Sequence, residues 1–118
     1  MDALVRPVTW LLGLVLLAVG LLGFVLPSPL LGFFVVDSMH SIIHLASGAI
    51  GVVAVLSSKS AARMFLMVFG AVYLAVAMLG YINGTTVLGL IEVNFADNVL
   101  HAAIAAVCLI IGHGSKAR

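Results

Sequence analysis

Four side chains in this sequence have the types and the spacing for chemistry. His40 and His44 stand four residues apart, and so do Asp97 and His101. On a helix each such pair projects from one face. Three imidazoles and one carboxylate make a donor set for zinc or a similar borderline ion in tetrahedral geometry. His44 and His101 alone make an axial pair for haem b, with nearby glycines leaving room. A His/Asp cluster facing outward also suits acid sensing, because histidine titrates near neutrality. The structural alternative gives Asp97 to the unpaired N–H groups of a helix start. In that role His44 and His101 donate to backbone carbonyls of neighbouring connections, Asp37 or Ser38 caps one helix and Asn94 another, and Ser47, Asn83 and Asn98 complete a polar network.

These residues lie in a chain of 118 residues that is 64% hydrophobic and only 8% charged. A water-facing domain carries about three times that share of charge, so the sequence predicts an integral membrane protein. A spanning helix needs roughly 20 mostly apolar residues. Four such segments fit, at about 8–26, 38–56, 62–82 and 95–111, and with their connections they use the whole chain as a single transmembrane domain. The fold expected is an all-α four-helix bundle. Arg6 and Pro7 before the first apolar run resemble a signal start, but the run is longer than a signal core and is expected to stay as a helix. Pro27-Ser28-Pro29 ends the first span. The polar run Ser57-Ser58-Lys59-Ser60 separates spans two and three, and Asn83-Gly84 marks the next turn. Leu30 to Val36 and Val87 to Val93 are apolar but too short to span, and are expected at the membrane interface. Asn94 with Asp97 three residues on has the form of a capping box.

Lysine and arginine set the expected orientation. Arg6, Lys59, Arg63, Lys116 and Arg118 fall at the two termini and the middle connection, whereas the outer connections carry only Asp37, Glu92 and Asp97 as charges. Both termini are expected in the cytoplasm and the histidine-bearing helix starts at the outer side.

An internal repeat organises the polar residues. At an offset of 57 the segment from Gly13 to Ala46 matches itself at 12 of 34 positions, including Leu17-Ala18-Val19 on Leu74-Ala75-Val76, Leu31-Gly32 on Leu88-Gly89, and His44 on His101. His40 falls on Asp97 and Asp37 on Asn94. Two tandem hairpins (about 8–57 and 62–112) related by a pseudo-twofold along the membrane normal are expected. Whether His44 and His101 then touch depends on which helices lie nearest that axis. Small residues, among them Gly13, Gly20, Gly48, Gly51, Gly70 and Gly80, are expected to let helices approach closely.

The order of the pieces resembles the bacterial membrane-protein family called domain of unknown function 4383. The resemblance rests on Gly20 to Phe24, Leu31 to Phe33, His40 to Gly48 (H-S-I-I-H-L-A-S-G), Phe69 to Tyr73, and Ala96 to His101 (A-D-N-V-L-H). It implies a small four-helix protein of the bacterial inner membrane, commonest in actinobacteria, and brings no activity with it. Ser41 departs from the family pattern, where asparagine is expected.

No phosphate loop, nucleophile elbow or dinucleotide fingerprint is present, and the lone Cys108 has no base beside it in sequence. The chain therefore reads as a non-enzymatic membrane protein whose His/Asp cluster has a structural or sensing role. The alternatives are a metal- or haem-binding protein with an electron-transfer role, and a small transporter or channel subunit. The bilayer is the expected partner, with a homo-oligomer or another membrane protein possible and nucleic acid excluded.

Overall fold

The computed structural model describes residues 1–116; Arg118, one of the basic residues counted above, lies outside them. After a short 3-10 turn the chain forms α1 (Val5–Val25), α2 (Ser38–Ser57), α3 (Lys59–Asn83) and α4 (Phe95–Gly114). All four are long and apolar enough to cross a membrane. The architecture is an all-α four-helix bundle, as the apolar runs require. Several ends differ from the sequence reading. α1 begins at Val5, because Pro7 is tolerated inside a first turn that has no N–H to lose. The polar connection after α2 shrinks to Ser58 alone, whose hydroxyl oxygen accepts from Ala61 N–H and so starts α3 at once. α4 runs on through Gly112 and His113 to Gly114.

α1 packs along α2 and α3 along α4, and the two hairpins meet through α1–α3 and α2–α3. Glycines allow the close approach. A Cβ on Gly48 would meet the Gly13 carbonyl oxygen and the Leu17 amide nitrogen, both at 2.7 Å, and one on Gly70 would meet Cys108 Cβ at 2.9 Å. Lipid offers no hydrophobic gain for helix association, so this contact must come from packing.

The interior is layered. At the end where α1 starts and α4 finishes, Val5, Val55, Ala62, Phe65, Leu66, Cys108 and Ile111 form an apolar core. That end also gathers Lys59 against Asp2 at 3.8 Å, and Arg63 Nε donating to the Ser115 carbonyl at 3.2 Å. Leu16, Tyr73 and Ala105 form a middle layer. The opposite end is polar inside and is closed by the two longer connections.

Those connections share a backbone form. Thr86–Val87 (β1) pairs antiparallel with Ile91–Glu92 (β2), with Val87 opposite Ile91. Fifty-seven residues earlier, Leu30 bridges Phe34 in the same sense. Each turn places a leucine and then a glycine at positive φ: Leu31 at 55° and Gly32 at 79°, Leu88 at 53° and Gly89 at 68°. Two successive positive φ values give a tight turn whose twist matches the paired strands. The glycines adopt it freely, whereas a leucine there is strained.

Candidate metal centre

α2 and α4 start alike. Asp37 caps α2, its Oδ1 accepting from His40 N–H at 2.8 Å. Asn94 caps α4, its Oδ1 accepting from Asp97 N–H at 2.9 Å, while Asp97 Oδ2 accepts from Asn94 N–H at 2.9 Å. The second arrangement is a complete capping box. These caps fix the first turn of each helix, and with it the direction of the side chains one and two turns further in.

The same carboxylates reach across to the other hairpin. Asp37 Oδ2 accepts from Glu92 N–H at 3.0 Å, and Asp97 Oδ2 accepts from Val35 N–H at 3.1 Å. Asn94 Nδ2 donates to the Phe33 carbonyl at 2.7 Å. Each connection is thus held by the helix start of the opposite hairpin. These bonds pair backbone N–H groups that would be costly to leave bare away from water.

Below the caps, three imidazoles meet. The ring centroids are 4.5 Å apart for His40 and His44, 5.4 Å for His40 and His101, and 6.0 Å for His44 and His101. One ring nitrogen of each lies within 4.8 Å of those of the other two. All three residues are buried, with at most 4% of their surface exposed. Although α2 and α4 pack mainly on their own hairpin partners, His44 and His101 do approach each other.

Hydrogen bonding distinguishes the three rings. His40 Nδ1 lies 3.0 Å from the Glu92 carbonyl. A carbonyl only accepts, so Nδ1 carries the proton and Nε2 holds a free lone pair. That Nε2 is buried with no partner, and so are Nδ1 of His44 and Nδ1 of His101. The sequence reading had His44 and His101 donating to the outer connections. Neither shows such a bond among the described residues: His40 Nδ1 donates to the Glu92 carbonyl and Asp97 Oδ2 accepts from Val35 N–H, because these two sit one turn nearer the end where the connections lie. The polar atoms nearby are equally bare. Ser41 Oγ and Asn98 Oδ1 are buried without partners, and the Tyr73 hydroxyl approaches Ser47 without reaching hydrogen-bond geometry. Tyr73 closes the inner side of the cluster, its ring 5.6 Å from that of His101. Ser41 and Asn98 lie against Gly23 and Gly80, each filling the space a Cβ would take.

Asp97 stands apart from the three rings. It shares the His101 face of α4, as the spacing requires, but its Oδ2 is engaged by Val35 and Asn94 and it does not join the convergent group of ligand atoms. The signal that finds this is the connection at Val35, which helical periodicity does not carry. A haem fits poorly. The His40 ring lies between four and six ångströms from both proposed axial ligands, leaving no slot for a macrocycle. The cavity that reaches His44 measures about 240 Å³, below the range of about 300–1,000 Å³ for pockets of drug-sized ligands. A bare ion fits better. Metal–nitrogen bonds of about 2.0–2.1 Å set tetrahedral ligand atoms about 3.3 Å apart, so the triad closes by no more than about 1.5 Å.

The model of a family described as a domain of unknown function (DUF4383) matches residues 6–113. No curated protein and no solved structure matches the chain.

Proposed function

This chain belongs to the DUF4383 family, whose description carries no activity, and from the geometry of its histidines we propose that it is a metal-binding membrane protein. His40, His44 and His101 are the ligands and zinc or copper the ion, since imidazole suits both. The observation that carries the reading is the convergence of three buried imidazoles, each with one ring nitrogen that has no partner. A buried polar atom left unpaired costs about 1–3 kcal/mol, and one ion answers three of them. The Glu92 carbonyl on His40 Nδ1 supports the same reading. A ligating histidine ordinarily gives its other N–H to such an acceptor, which fixes the tautomer and the ring. Three protein ligands leave a fourth position for water or another molecule, the pattern of reactive rather than purely structural sites.

The setting we propose is the bacterial inner membrane, with both termini cytoplasmic and the metal site near the outer face. The distribution of Arg6, Lys59, Arg63 and Lys116 supports that orientation. We also read the chain as two tandem hairpins of common descent, a reading supported by the matching turns at Leu31-Gly32 and Leu88-Gly89. The test is metal analysis of detergent-purified protein. Near-stoichiometric zinc or copper is expected, and it is lost in His44→Ala and in His101→Ala while the helical circular dichroism stays. Wild-type protein that neither retains nor takes up zinc or copper overturns the proposal.

A further inference from the structure

An apolar crevice of about 240 Å³ runs between α1 and α4 and ends on the histidine cluster. Leu12, Val15 and Val19 form one wall, and Leu100 and Ile104 the other. Leu12 to Val19 is the middle of α1, which spans Val5–Val25. At 1.5 Å per residue both ends of the helix lie roughly 10 Å or more from the middle of that wall. The crevice therefore faces the acyl core of a bilayer rather than water, and what enters it comes dissolved in lipid.

Among the described residues lining it, His44 is the one polar side chain. Its Nδ1 is buried without a partner, and with that nitrogen given to the ion, Nε2 is the nitrogen left for the crevice. The inference rests on the metal reading above: a neutral imidazole that ligates through Nδ1 carries its proton on Nε2. The crevice then offers a single N–H donor at the end of an apolar slot. Its size exceeds the roughly 150 Å³ of an engineered apolar cavity that holds benzene.

We propose that this crevice binds an uncharged, lipid-dissolved ring compound bearing a carbonyl oxygen, of the quinone or aromatic ketone class. The ring fills the space between α1 and α4, and the oxygen accepts from His44 Nε2–H. A charged head would meet no countercharge on these walls. A plain hydrocarbon would leave the donor bare, at a cost that a carbonyl removes.

The test uses metal-loaded protein in lipid nanodiscs with two probes of the same ring size, 2-methyl-1,4-naphthoquinone and 2-methylnaphthalene. Binding is read by equilibrium partition above that of empty nanodiscs, together with the His44 side-chain ¹⁵N resonance. The quinone is expected to bind at least ten-fold more tightly than the hydrocarbon and to shift the His44 Nε2 signal. Val15→Phe and Leu100→Phe, which fill the slot from opposite walls, are expected to abolish binding while metal content stays at the wild-type level. Equal binding of the two probes overturns the role of His44. Binding of neither probe, or binding that survives both substitutions, overturns the crevice as the site, and intact metal content in that outcome leaves the metal reading standing. Protein that takes up no metal overturns both.

Discussion

His40 differs from its two neighbours in having one nitrogen committed, to the Glu92 carbonyl. Its lone pair is thereby fixed in direction before any ion arrives, which makes it the pre-set member of the triad. His44 and His101 show no such bond among the described residues, and each leaves its Nδ1 without a partner. Replacing either by alanine is expected to cost more than about 100-fold in metal affinity, the upper range for loss of an outer-shell partner; competition with a chromophoric chelator measures it. Asp97→Asn is expected to leave metal stoichiometry unchanged, since the carboxylate faces Val35 and Asn94; loss of the ion in that variant would return Asp97 to the ligand set. Ligation needs neutral imidazole, so acid competes with metal. Affinity is expected to fall as pH is lowered and to recover on return to neutrality, with release of metal followed by the same chelator.

At the scale of elements, the caps and the turns carry the stability that single residues can test. Asp37 closes the first turn of α2 and also holds Glu92. Asp37→Ala is expected to lower stability by about 2 kcal/mol, the upper end for a lost cap, and Asp37→Asn by less, because an amide oxygen still serves His40 N–H. Unfolding in graded denaturing detergent reads both. Leu88 sits at a φ of 53° and is two-thirds exposed, so Leu88→Gly is expected to raise stability by about 1 kcal/mol through relief of strain. The four helices and the caps of α2 and α4 were legible in the sequence, since long apolar runs and Asp or Asn before them are local signals, whereas the Ser58 cap of α3 lay hidden in a run of serines. The strained leucines were not, because nothing about a leucine before a glycine demands positive φ until both flanks are paired. Nor was the meeting of His44 with His101 legible. It depends on how α2 and α4 tilt across the bundle, and the 3.6-residue period says only which face each histidine occupies.

At the scale of the whole molecule, the described basic residues, Arg6, Lys59, Arg63 and Lys116, and the polar cluster lie at opposite ends. On a background of Cys108→Ser, a cysteine at Ser58 is expected to react with a membrane-impermeant maleimide only after the inner face is opened, and one at Thr85 from outside intact cells. The reverse pattern would invert the orientation proposed. The crossed hydrogen bonds, Asp37 to Glu92 and Asp97 to Val35, have a consequence for biogenesis. Translation delivers the first hairpin to the membrane before the second exists. At that stage Asp37 Oδ2, His40 Nδ1 and the amide of Val35 lack the partners that the second hairpin supplies. Each half thus completes the other's outer end. Residues 1–58 and 59–118 made as separate chains are therefore expected to find each other in the membrane and co-purify, and Asp37→Ala together with Asp97→Ala is expected to weaken that pairing before it disturbs either half.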